Sequence, residues 1–182
     1  PVHDLETIKT EILLADIKQI EKKLEKNSKK KLTEKQIKLL NEILARLNEA
    51  ESFDISYDSE SKKFLTEIGL ISNKPCIIVC NVDEQSVRDG NNYTKLLKEK
   101  YSNQKFVSIC ADIESQIIDL EPDERENYMK NIGLEKTGLD KLITSGYDLL
   151  NLNTFFTSGP KETRAWTIKK NTAAQKAAGV IH

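Results

Sequence analysis

The sequence predicts an α/β protein: a helical hairpin, then a segment of parallel sheet, then a short β-rich piece. Three observations carry this. Apolar residues recur at three- and four-residue steps from Leu5 to Leu47. Apolar runs at 75–80 and 105–110 alternate with helical stretches, the pattern of a parallel sheet covered on both faces. Past Asn151, aromatic and β-branched residues flank the turn signal Ser158-Gly159-Pro160.

The first helix runs from Asp4 to Asn27, with Leu5, Ile8, Ile12, Leu13, Ile17, Ile20 and Leu24 as its stripe. Asn27-Ser28 ends it. Thr33 with Gln36 three residues on is a capping box that starts a second helix, striped by Ile37, Leu40, Ile43 or Leu44, and Leu47. Narrow stripes and a short link predict an antiparallel hairpin, coiled-coil in character.

Residues 18–38, around the tip, carry nine Lys against three Glu. Such a tip is either a solvated surface or a phosphate-contacting arm. No aromatic is interleaved, so base stacking has no support there. Ser52–Ser61 is polar and acidic, a return loop. A short helix near Lys62–Ile68 stops at Gly69.

Strand 75–80 follows, then a helix around Tyr93–Tyr101, strand Lys105–Cys110, acidic helical pieces at Asp112–Leu120 and Pro122–Asn131, and helix Gly138–Leu150. Thr154–Thr157 and Thr163–Ile168 form a hairpin, and Asn171–Ala178 begins a short helix before Gly179. A hairpin and one helix are too little to bury a core.

Composition sets outer limits. The 182 residues suffice for one sizeable domain or one domain plus a fragment, and a net charge of -1 gives no global bias toward nucleic acid. Cys76, Cys80 and Cys110 lie in apolar runs, which reads as reduced thiols in a cytosolic core. The spacing C-x-x-x-C, with no second pair or nearby His, does not make a zinc site. No apolar run reaches the length of a membrane span.

The strand at 75–80 ends in Asn81-Val82-Asp83-Glu84. A parallel strand ending in Asn-x-x-acid is where P-loop nucleotide hydrolases read the base, and GTP enzymes normally carry Asn-Lys-x-Asp. Val82 lacks the Lys stem that packs along the base. Glu84 moves the carboxylate by one methylene from the position that pairs with guanine. Asn81 offers a donor and an acceptor to the adenine edge. Cys110-Ala111, ending the next strand, can supply backbone amides. An ordinary strand-to-loop turn would use the same residue types, so the four residues alone leave both readings open.

Other chemistry has thin support. His3 and His182 stand at opposite termini, which leaves little for a Ser-His-Asp or Cys-His arrangement. The acidic run Glu121, Asp123, Glu124 and Glu126 suits a helix start. Gly133 and Gly138 match the glycine spacing of a phosphate loop. Leu139-Asp140 replaces its Lys-Ser/Thr, however, and no strand precedes it, so it reads as a turn.

Several runs resemble the YchF family of Obg-like ATPases, in the translation-factor class of P-loop GTPases. Asp4–Ile8 and Glu11–Asp16 are similar to the lead into its helical insertion. Lys74 through Glu84 resembles its strand and N-x-x-E base motif, and Cys110–Glu114 its second base-contacting loop. Gly138-Leu139 and Leu149–Thr157 resemble the passage into its TGS domain; Lys161–Trp166 and Ala173–Gly179 resemble that domain's opening.

The resemblance implies the C-terminal half of a P-loop NTPase parallel sheet, with an inserted antiparallel coiled-coil hairpin and the start of a β-rich TGS domain. The implied limits are 1–15 and 60–150 for a partial nucleotide-binding domain, 16–59 for the insertion and 151–182 for the TGS start. It implies base contacts from Asn81, Val82, Glu84, Cys110 and Ala111. It also implies ATP or GTP with Mg2+, and association with ribosomes or RNA in the cytoplasm. That association gives Lys22, Lys23, Lys26, Lys29, Lys30 and Lys31 a candidate role as partner contacts.

The chain begins at Pro1 rather than Met, which reads as processed or cut. The family's P-loop and switch segments are expected before Pro1, and the rest of its TGS domain after His182. Without them, no catalytic or metal-binding residue is expected in these 182 residues, and the piece alone is expected to be inactive. Its half-sheet is expected to expose a strand edge and to be unstable or aggregation-prone. The alternative is a non-catalytic helical module that binds ribosome, RNA or protein.

Overall fold

The computed structural model describes residues 1–25, 32–49 and 58–181. The chain forms two compact units, Pro1–Lys74 and Pro75–His182.

The first unit is helical: α1 (Val2–Glu25), α2 (Glu34–Asn48) and α3 (Ser59–Ile68). Thr33 and Gln36 form the expected capping box at the start of α2. Gly69 ends α3 in the left-handed region at φ 79°, a conformation glycine adopts without a Cβ penalty. The contacts between helices fix their directions. Along α1, Asp16, Gln19 and Lys23 meet Ile71, Ile68 and Phe64 in turn, so α1 runs opposite to α3. Lys35 and Leu39 of α2 line a small cleft with Glu60 and Phe64, so α2 runs with α3. Hence α1 and α2 are antiparallel, as the stripes predict.

The core of this unit is Ile20, Leu39, Leu40, Ile43, Leu47, Phe64, Leu65, Ile68 and Leu70. Leu39, outside the expected stripe, is buried because α3 adds a second contact face to α2. Ile8, inside the expected stripe, is 55% exposed; packing onto this core begins at Leu13.

Asp16 is fully buried on the apolar face of α1. Its carboxylate accepts from the Ile71 and Ser72 amides at 2.7–2.9 Å, which gives the buried charge its partners. The break at Asn27-Ser28, Lys26, Lys29, Lys30 and Lys31, most of the Ser52–Ser61 loop, and His182 lie outside the described residues.

The second unit holds β1 (Ile77–Asn81), α4 (Asn92–Lys100), β2 (Lys105–Ile109), α5 (Ala111–Ile118), α6 (Pro122–Asn131), α7 (Gly138–Leu149), β3 (Leu152–Ser158), β4 (Thr163–Lys169) and α8 (Ala174–Ala178). β1 and β2 are parallel, paired from Ile77↔Lys105 to Asn81↔Ile109. The sequence pattern predicts both faces covered. A buried residue lies on each face, Cys80 on one and Val107 on the other, yet Val79, opposite Val107, is 41% exposed.

β3 and β4 form the expected antiparallel hairpin, with Phe155 opposite Trp166. The Trp166 Nε1–H donates to Thr157 Oγ1 at 2.8 Å, and the Arg164 guanidinium lies 4.3 Å from the Trp166 ring centroid. The Tyr147 hydroxyl lies 3.3 Å from that of Thr167 and 3.5 Å from that of Thr154, tying α7 to the hairpin. The Asp148 carboxylate pairs with Lys170 at 2.8 Å and Lys105 at 3.8 Å. No residue from 152 to 181 is fully buried, in keeping with a segment too small for its own core.

Candidate nucleotide-base site

Because β1 and β2 pair through Asn81↔Ile109, their carboxyl ends stop level with each other. The residues that follow, Val82–Glu84 and Cys110-Ala111, therefore form adjacent loops beyond the sheet, where open parallel sheets bind ligands. The Val82 amide donates to the Ile109 carbonyl at 2.9 Å, carrying the ladder one bond further.

Asn81 bridges the two loops. Its Oδ1 accepts from the Ala111 amide at 3.1 Å. A backbone N–H can only donate, so the atom facing it is the oxygen, and Nδ2 remains as a donor beside the loops. The sequence allowed Asn81 to present both functions to a base; the structure engages the acceptor with the protein itself.

Asp83 shapes the turn that carries Glu84. Its Oδ1 accepts from the Ser86 amide at 2.8 Å, capping a 3-10 turn at Glu84–Ser86. Hydrogen bonds from the Ser86 side chain and backbone hold the Asp83 carboxyl below the usual carboxylate range. Glu84 is exposed, and its Oε1 accepts from Gln116 Nε2 of α5 at 3.4 Å.

Among the expected contacts, Asn81, Glu84 and Ala111 are exposed together at this end. The side chains of Val82 and Cys110 are buried, so these two present only backbone. Burial also pushes the Cys80 thiol up.

The glycine turn at 133–138 is not a phosphate cradle. Glu114 accepts from the Gly138 amide at 2.6 Å and the Leu139 amide at 3.2 Å, and Thr137 Oγ1 accepts from Asp140 at 3.0 Å. The first amides of α7 are thus satisfied by the chain itself. A Cβ at Gly138 would lie 2.7 Å from Ile109 Cγ2 and 2.8 Å from Glu114 Oε1. In the acidic run, Asp123 and Glu124 sit in the first turn of α6, and Glu126 pairs with Lys130 at 2.5 Å.

In the first unit, Lys22 is exposed on the last turn of α1. The Lys23 ammonium lies 5.3 Å from the Phe64 ring centroid, packed onto its own helical core.

Sequence reasoning missed Asp16, Glu114, Gln116 and Tyr128 as positioning groups. Only Asp16 left a signal: it stands at four-residue steps from Ile12 and Ile20, a charge on the apolar stripe.

A family described as YchF-GTPase_C, a protein of unknown function (DUF933), matches residues 152–182. The chain is 37% identical over 192 aligned residues to the ribosome-binding ATPase YchF of Bacillus subtilis, covering 100% of this chain and 52% of that protein. It is 35% identical to the ribosome-binding ATPase YchF of Escherichia coli O157:H7, again covering 100% and 52%. The structure of the Schizosaccharomyces pombe YchF GTPase superposes with a TM-score of 0.74 at 27% identity, covering 100% of this chain and 52% of that one. The chain spans about half the length of the curated relatives it matches.

Proposed function

The chain belongs to the YchF family, and from that premise we propose that it is the base-reading part of a nucleotide hydrolase that works with ribosomes in the cytoplasm. The observation that carries the reading is the Asn81–Ala111 bond. It joins the two loops beyond the sheet, on which the side chains of Asn81 and Glu84 are both exposed. Nδ2 suits N7, an acceptor that adenine and guanine share, so Asn81 selects purines. The choice between purines falls to Glu84, which disfavours the guanine edge by its extra methylene.

The nucleotide is ATP or GTP with Mg2+. Phosphates and metal are held by residues outside these 182, so the chain alone does not turn over nucleotide. Residues 1–15 and 60–150 belong to the nucleotide domain, 16–59 to a coiled-coil insertion, and 151–182 to the opening of a TGS domain.

The test compares the 182-residue chain with the complete reading frame that carries it. Turnover by the complete protein and none by the chain is expected. In the complete protein, Glu84→Asp with Val82→Lys shifts preference toward GTP; no shift removes these positions as the readout.

A second reading is a helical module that binds ribosomal RNA, favoured by the lysine density of residues 18–38. Salt-dependent RNA binding lost on changing Lys29, Lys30 and Lys31 to Glu supports it. Binding insensitive to salt and to these changes points to a protein partner instead.

A further inference from the structure

We propose that Gln116 and Tyr128 are positioning residues for base choice, holding the Glu84 carboxylate in the place from which it discriminates purines. The inference rests on the reading of Asn81 and Glu84 as the base site, and it adds two residues that no motif marks.

Two hydrogen bonds form a directed relay. An ionised Glu84 carboxylate only accepts, so the Gln116 group 3.4 Å away is its amide nitrogen. The Gln116 Oε1 then faces the other way, where the Tyr128 hydroxyl lies at 2.6 Å and has to donate. Tyr128 thereby selects one of the two orientations of the Gln116 amide. It also polarises the amide toward Glu84.

The relay stands on fixed supports. Arg125 Nε donates to the Ile117 carbonyl at 3.0 Å, locking α6 against the end of α5. Met129 and Ile117 are buried beside Tyr128 and Gln116 in sequence, so both helices are anchored where the relay crosses between them. At the other end, the Asp83 cap fixes the backbone of Glu84. A Glu side chain on an exposed turn would otherwise sample many rotamers.

α5 is therefore tied to the base loops at two places. Its first residue, Ala111, is bound to Asn81, and Gln116, five residues on, is bound to Glu84. The helix carries the spacing between the group shared by both purines and the group that separates them.

The test measures dissociation constants of the complete protein for ATP, GTP and inorganic tripolyphosphate, with melting temperature alongside. Gln116→Met keeps the side-chain length and removes the amide. It is expected to change the ATP-to-GTP affinity ratio by about three- to tenfold, the net worth of one ordinary hydrogen bond, with tripolyphosphate affinity unchanged. Tyr128→Phe moves the ratio in the same direction by about two- to threefold. It alters one atom, so it serves if Gln116→Met folds poorly. Equal weakening of all three ligands means a structural role only and overturns the inference. An unchanged ratio in both variants, while Glu84→Ala changes it, overturns the relay and leaves the base site standing. An unchanged ratio in Glu84→Ala overturns both.

Discussion

Asn81, on the last rung of the β1–β2 ladder, meets Ala111, two residues past its rung partner Ile109, joined at 3.1 Å by a side-chain oxygen and a backbone amide. Asn81→Ala leaves that amide without its partner and lowers stability by about 0.5–1.5 kcal/mol. Asn81→Asp separates the two roles of the residue. A carboxylate still accepts from Ala111, so the melting temperature holds. The Nδ2 donor is gone, so ATP and GTP binding by the complete protein fall together, by about tenfold. Retained binding in Asn81→Asp would mean that Nδ2 does not reach the base.

Asp16→Ala strands the Ile71 and Ser72 amides and opens a gap under α1. Denaturant unfolding should report a loss of about 2–5 kcal/mol. A loss below about 0.5 kcal/mol would show that water replaces the carboxylate at no cost.

Ile43→Ala removes a fully buried side chain where α2 faces the core. The expected cost is about 2–5 kcal/mol, read by denaturant melts. Hydrogen exchange should place that loss in residues 1–74 and leave the β1–β2 amides as protected as before.

Acid should loosen the start of α3. Lys35, 2.8 Å away, and the Ser61 amide hold the Asp58 carboxyl down from 3.8 to about 2. The folded value is the lower one, so the stabilising contribution is complete above about pH 4 and is lost as pH falls through about 2. A carboxyl-carbon NMR titration of Asp58 checks this. Lys35→Met should bring its midpoint back up, and an unmoved midpoint would exclude Lys35 as the cause.

What the sequence made legible was local. The Thr33–Gln36 box and the stop at Gly69 span a few residues, so spacing alone announces them. The β1–β2 pairing was legible as two apolar runs of matched length. The groups that hold the candidate site in shape are joined across distance: Asn81 to a residue 30 positions on, Gln116 to one 32 positions back, Glu114 to one 24 positions on. No periodicity encodes such a bond, since a polar residue on a helix surface looks the same whether solvent or another loop receives it. Leu39 was missed for a related reason. Its burial depends on α3, whose arrival the α2 stripe cannot register.

Gly138 carries an evolutionary consequence. Any side chain there collides with Ile109, which is branched at Cβ and sits in a paired strand, and with the Glu114 oxygen already bound to Gly138's own amide. Retreat by Glu114 uncaps α7, and a smaller residue at 109 thins the strand beneath the base loop. A sequence leaving glycine at 138 would need several coordinated changes, each harmful alone. The position is an epistatic trap, in which drift at one residue is arrested by two neighbours serving different helices and strands.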